Sequence, residues 1–223
     1  MLNFINDPLF TFSVTQTMTA ITTAATTVKM FGKWSMEGIT VKDPGLANYI
    51  SVKPVFVPRT GARYAKLKFY KSKISIVERL MNKLMVAGHR GKKHTITSYT
   101  MSGKAAQAFK LVSYVLDALE QRTKQNPVKV LVEAVESAAP REEIVSIEYG
   151  GARYPKAVDC SPQRRVDLSL RYFVQGSMAK SFNNKKTFGE ALAEEIANAF
   201  YRSPTSYAIS KKLELERQAE SSR

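Results

Sequence analysis

The chain has 223 residues, 44% of them hydrophobic, with 34 Lys and Arg against 19 Asp and Glu, a formal net charge of +15. That hydrophobic share supports a packed core and excludes a wholly disordered chain. A surplus of this size repels itself in a compact state unless a polyanion neutralises it; among nucleic acid, an anionic membrane surface and an acidic protein, nucleic acid is the commonest partner, because phosphate contacts release counterions.

In chain order, the first 28 residues stand apart. From Thr11 to Thr27 there are eight threonines and no charge, and the first basic residue is Lys29. The positive start of a signal peptide is missing. The segment 1–28 reads as an untied Thr-rich extension, or as an upstream-start artefact ahead of Met30. From Phe31 to Ser72, Asp43-Pro44-Gly45, Lys53-Pro54, Pro58 and Thr60-Gly61 punctuate the chain. This predicts a basic extended arm over 29–74, with at most a short strand at Ile50–Val57.

Helical patterning takes over at Ser75, an N-cap candidate. Ile76, Val77, Leu80, Met81, Leu84 and Met85 follow at helical spacing, with Gly88 as the stop. A basic loop runs from Gly88 to Thr100. A long helix is predicted from about Ser102 to Thr123, on a face of Ala105, Ala108, Phe109, Val112, Leu116 and Leu119. Asn126-Pro127 opens the next helix and Pro140 closes it. Two β-rich runs, Ile144–Tyr149 and Tyr154–Cys160, flank Gly150-Gly151 and predict a hairpin. Ser161-Pro162, Thr187 and Ser206 then start three further helices. No repeat at a period of about 20–50 residues suggests a solenoid. The expected fold is mainly α: a bundle-like domain of about six helices over 75–223, with one protruding β-hairpin at 144–160 and the basic arm in front.

The charge is concentrated. Between Lys53 and Lys93 twelve basic residues face one acid, Glu78, whereas from Pro140 onward fourteen face eleven. Tyr64, Phe69 and Tyr70 are interleaved with the basic run, and phosphate pairing plus base stacking is what irregular RNA requires. Arg59, Arg63, Lys66, Lys68, Lys71, Lys73, Arg90, Lys92 and Lys93 are therefore the primary candidate RNA contacts. Arg164 and Arg165 occupy the first turn of a helix, where positive charge opposes the macrodipole unless phosphate lies alongside. The competing reading is an ion pair with Asp159 or Asp167. Arg171, two turns on, is a weaker candidate.

Nothing points to catalysis or to a cofactor. Cys160, the single cysteine, excludes an intrachain disulfide and a cysteine metal site, and reads as a small buried hydrophobe in a reducing setting. Two histidines, His89 and His94, are too few for a metal cluster. No run of about 18 apolar residues marks a membrane span. There is no P-loop glycine pattern and no nucleophile–base pair, and Glu142-Glu143 and Glu194-Glu195 are adjacent in sequence and point apart. A helical DNA-binding regulatory module is the remaining alternative, but its basic residues should cluster on one recognition helix.

Several stretches, taken in order, resemble the family of the seventh small-subunit ribosomal protein in its archaeal and eukaryotic form. They begin with Phe31-Gly-Lys-Trp34 and Asp43-Pro44, then Ile76-Val-Glu-Arg-Leu80, Asn82-Lys-Leu-Met85 and Gly91-Lys-Lys93. Gln125-Asn-Pro127, Ala139-Pro-Arg-Glu-Glu143, Tyr149-Gly-Gly-Ala-Arg-Tyr154 and Ala157-Val-Asp-Cys-Ser-Pro-Gln-Arg-Arg-Val-Asp-Leu168 follow. Ser181-Phe-Asn-Asn184, Leu192-Ala-Glu-Glu-Ile196, Tyr207-Ala-Ile209 and Glu214-Leu-Glu-Arg217 complete the set. Two segments depart from it: the threonine-rich start, and residues 94–105, which look like an insertion. The resemblance implies a cytoplasmic, ribosome-bound protein that holds the 3′ major domain of small-subunit rRNA and helps assemble the subunit head. It also implies that the hairpin, with Tyr149, Gly150, Gly151, Arg153 and Tyr154 at its tip, approaches exit-site tRNA and the mRNA exit channel near the eleventh small-subunit protein. Neither a membrane nor a small-molecule substrate is implied.

Overall fold

A computed structural model describes residues 28–89, 96–98 and 100–223. The extension before Val28, together with Arg90, Lys92 and Lys93, lies outside the described residues, as does part of the stretch read as an insertion. Seven helices and one hairpin make up the described chain: α1 (Pro44–Ala47), α2 (Ile76–Leu84), α3 (Ala105–Thr123), α4 (Pro127–Ala138), β1 (Glu142–Tyr149), β2 (Ala152–Asp159), α5 (Pro162–Ser181), α6 (Phe188–Phe200) and α7 (Tyr207–Glu220). The six longer helices and the hairpin match the expected mainly α architecture.

Local chemistry explains most boundaries. Asn126 caps α4 by accepting from the Val128 N–H at 3.0 Å, with Pro127 in the first turn, where its missing N–H leaves no gap. Thr187 and Glu190 form a reciprocal capping box on α6. The long helix α3 begins at Ala105 rather than Ser102, because Gly103 adopts φ +70°, outside the helical region. Its C-cap, Lys124, is left-handed. Strand β1 begins two residues before the expected Ile144 and pairs with β2 from Glu142↔Asp159 to Tyr149↔Ala152. Gly150 (φ 58°) and Gly151 (φ 80°) supply the two left-handed residues that a two-residue hairpin turn demands.

Helix α6 is central, packed against α3, α4, α5 and α7. Its Leu192 and Ile196 meet Leu116 and Leu119 of α3, Leu131 of α4 and Leu170 and Phe173 of α5 in one fully buried cluster. Burying each such side chain contributes roughly 1.5–3 kcal/mol. The base of the hairpin rests on α7: the Arg141 N–H donates to Glu216 at 3.0 Å, and Arg223 pairs with Glu142. Beyond that base the strands are largely exposed.

The arm divides physically into two parts. Met30, Trp34, Met36, Leu46 and Ile50 are buried in the main core, with Trp34 Nε1 donating to Glu120 at 2.9 Å and Lys33 paired to Asp117. Asp43 accepts from the Gly45 N–H, and the short helix α1 that it caps interrupts the extended run. The strand considered for Ile50–Val57 does not form. Ser51 makes one isolated bridge to Ser75, and Pro54 and Pro58 lack the N–H groups that a ladder would use. From Lys53 to Lys73 the chain is mostly exposed and turns upon itself.

Candidate nucleic-acid interface

The outer half of the arm is held to the helices by few but specific bonds. Glu78, on the first turns of α2, is buried and accepts both the backbone N–H and the hydroxyl of Thr60. The lone acid of the basic run is thus turned inward, and no carboxylate stands among the residues from Arg59 to Lys73. Asn82 donates to the Tyr64 hydroxyl at 2.9 Å, and Tyr64 stacks on Tyr70 with ring centroids 6.1 Å apart and planes 17° apart. Lys73 sits 5.7 Å from the Tyr70 ring centroid. Burial, and then the nearby Glu78 charge, raise the Tyr64 phenol above its ordinary pKa against the opposing Asn82 bond, which keeps it a neutral ring.

Around that stack lie the expected contacts. Arg59, Arg63, Lys66, Lys68, Lys71 and Lys73 are all exposed. Arg59, Arg63, Tyr64, Leu67 and Tyr70 line a shallow concavity of about 620 Å³. Phe69 is 74% exposed on a left-handed backbone, φ 58°. A non-glycine residue in that region carries a conformational cost, and here that cost accompanies an exposed aromatic ring lying between Lys68 and Lys71 in sequence. Two of the three interleaved aromatics, Tyr64 and Tyr70, thus share one concavity with Arg59 and Arg63.

Other candidates carry internal bonds. Lys71 pairs with Asp167 of α5, which also accepts from Arg79 at 3.0 Å. Arg164 grips Glu143 of β1, with its Nη2 donating at 2.7 Å. Arg165 reaches back to Asp43 at 2.8 Å and to the Pro140 carbonyl at 3.2 Å, and is largely covered. Neither arginine pairs with Asp159 or Asp167; Arg165 instead clamps the start of α5 to the arm. Partial burial works against the Asp43 carboxylate. The Arg165 hydrogen bond, the Gly45 N–H and the Arg165 and Arg141 charges together hold its pKa below the ordinary value. Arg171 is exposed on α5.

At the hairpin tip, Tyr149 and Tyr154 are 81% and 59% exposed beside the glycine turn. Arg153 and Glu148 face each other across the strands at 3.6 Å. Val145, Ile147, Tyr149 and Tyr154 share one face by register. Asn82 and Lys83, which belong to the stretches that carry the resemblance but not to the expected RNA contacts, line one cleft with Arg171; that relation depends on how α2 and α5 pack and has no local signal.

Among the described residues there is no cluster of His, Cys, Asp and Glu able to hold a metal ion, and no helix is long and apolar enough to cross a membrane. Cys160 is buried. The basic residues of this surface lie mostly in turns rather than along one helix, which is not how a recognition helix presents itself.

The family model for ribosomal protein S7p/S5e matches residues 46–223. A small ribosomal subunit protein uS7 from Nanoarchaeum equitans is 55% identical over 196 residues, covering 88% of this chain and 99% of that protein. A protein of the same description from Methanosphaera stadtmanae is 47% identical over 193 residues, covering 86% and 97%.

Proposed function

Since the chain belongs to the ribosomal protein S7p/S5e family, a structural and non-enzymatic constituent of the small ribosomal subunit, we propose that its exposed arm holds the 3′ major domain of the small-subunit rRNA and helps organise the subunit head. The observation that carries this reading is the cationic, aromatic outer surface from Arg59 to Lys73, a stretch with no acid of its own, beside which Glu78 of α2 is turned inward. Cations there neutralise phosphates and release counterions, while Phe69 offers a ring on which an unpaired base stacks. Arg90, Lys92 and Lys93 extend the same basic run by sequence. Arg164 and Arg171 present positive charge on α5, and Arg165 contributes chiefly by fixing that helix to the arm.

The hairpin is the second contact in this reading. Its tip, with Tyr149, Gly150, Gly151, Arg153 and Tyr154, is solvent-exposed on both strands and suits a partner outside the domain: exit-site tRNA and the mRNA exit channel, beside the eleventh small-subunit protein. The place of work is the ribosome in the cytoplasm. No cofactor, membrane or small-molecule substrate enters the proposal.

Filter binding of the full chain to a fragment of the 3′ major domain, against duplex DNA of equal length, tests it. The rRNA fragment should bind at least tenfold more tightly at physiological salt, and the chain should sediment with small subunits from lysate. Equal affinity for the two nucleic acids would favour the DNA-binding alternative.

A further inference from the structure

Behind the arm's outer surface lies a separate cleft of about 470 Å³, where the arm, α2 and α5 meet. That volume falls in the range of roughly 300–1,000 Å³ that holds small-molecule-sized ligands. Tyr64 forms part of one wall, backed by its stack on Tyr70. Asn82 and Gln175 also line it, their amide N–H groups donating to the Tyr64 hydroxyl and to the His89 carbonyl.

The charge balance of the cleft is what packing alone leaves unexplained. Lys71, Arg79, Lys83 and Arg171 line it with one carboxylate, Asp167. That carboxylate is already engaged by Lys71 and Arg79. Among the described residues, Lys83 and Arg171 have neither an ion-pair partner nor a side-chain hydrogen bond. Lys83 is half-buried; burial lowers its pKa, and the charges of Arg171, Lys71 and Arg79 lower it further against the pull of Asp167. Removing an unpaired ammonium from water beside three other cations is unfavourable, and an anion seated between Lys83 and Arg171 would reverse that.

We infer that this cleft receives one unstacked nucleotide of the bound rRNA, its phosphate between Lys83 and Arg171 and its base against Tyr64. The inference rests on the rRNA-binding reading above and adds the site. RNA is read where bases are unpaired and splayed out, by stacking on aromatic rings and by pairing of their edges, and a guanidinium with an ammonium is a strong phosphate donor set. The outer arm supplies contacts along the backbone, and the cleft selects a position in the RNA where one nucleotide can leave its stack.

The test uses the full chain, the rRNA fragment and nucleotide-resolution 2′-hydroxyl acylation of the complex. In the wild-type complex one nucleotide should change reactivity in a way that depends on Lys83. Lys83→Met should lower affinity about tenfold and return that nucleotide to its free reactivity while leaving the rest of the footprint in place. Lys83→Arg should restore most of the binding. Lys68→Ala, on the outer arm, should weaken binding with the footprint pattern unchanged. Should Lys83→Met lose helical circular dichroism, Arg171→Gln on the exposed side of the cleft carries the same expectation and the same refutation. A folded variant with wild-type affinity and an unchanged reactivity map overturns the cleft assignment while the rRNA reading stands. Failure of the wild-type chain to bind the fragment overturns both.

Discussion

Thr60 and Glu78 meet at a single atom: the Thr60 N–H donates to Glu78 Oε1 at 3.0 Å, and the Thr60 hydroxyl to the same oxygen at 2.5 Å. A buried carboxylate on a helix therefore fixes the point where the arm turns into its cationic stretch. Charge-assisted bonds of this kind are among the stronger ones, and loss of the acceptor leaves the Thr60 donors in a partly covered site. Glu78→Ala should destabilise the domain by about 1–3 kcal/mol in urea unfolding and speed tryptic cleavage at Arg59 and Arg63. Glu78→Gln, which keeps an acceptor oxygen, should do less of both. Equal cleavage rates in wild type and Glu78→Ala would show that the arm is held elsewhere.

Asp167 gives the second attachment, and it should respond to acid. Burial alone would raise its pKa, but the hydrogen bonds and charges of Lys71 and Arg79 outweigh burial and the net direction is down. A carboxyl with a folded value below its unfolded one stabilises the fold fully above the unfolded pKa, near 4, and loses that contribution as pH falls through the depressed folded value. The stability difference between wild type and Asp167→Asn should thus be constant from neutral pH to about 5 and shrink below about 4. A difference that persists unchanged to strongly acidic pH would contradict this linkage.

What could be read from the sequence was what local chemistry decides. Thr187 with Glu190 and Asn126 with Pro127 announced helix starts, because a cap needs only its own next three residues. Gly150-Gly151 announced the hairpin, because its turn requires left-handed backbone at both positions. The cationic arm was legible as composition. The burial of Met30, Trp34 and Met36 was not: Trp34 meets Glu120 across 86 positions of chain, and nothing near Trp34 encodes that. The same holds for Arg165, whose partner Asp43 lies 122 positions away rather than at the nearer Asp159 or Asp167. Lys83 is legible as one of the twelve basic residues, but its place in a cleft with Arg171 is a property of the helix packing, not of its neighbours in sequence.

Cys160 should be nearly inert in the folded chain. Burial first, and then the charge and hydrogen bond of Glu143, push its thiol up to about 11. The thiolate is the reactive form, so at pH 8 the folded protein should hold on the order of a hundredfold less of it than a free cysteine. Iodoacetamide labelling at pH 8 should be at least tenfold slower in the native chain than in urea. A native rate equal to the unfolded one would mean that the thiol is exposed and ionised.

The hairpin should be separable from the fold. Its base is tied to α7 through Arg141 with Glu216 and Glu142 with Arg223, whereas Tyr149 to Tyr154 at the tip lies outside the helical core. Exposed residues away from such ties contribute little to stability, usually within about 0.5 kcal/mol each. Deletion of residues 150–153 should therefore leave helical circular dichroism intact and affinity for the rRNA fragment within about twofold, because the arm remains. Small subunits carrying the deletion should in turn show altered tRNA protection at the exit site. Loss of helix on deletion would place the hairpin inside the cooperative core; wild-type exit-site protection in a folded variant would remove the tip from that contact.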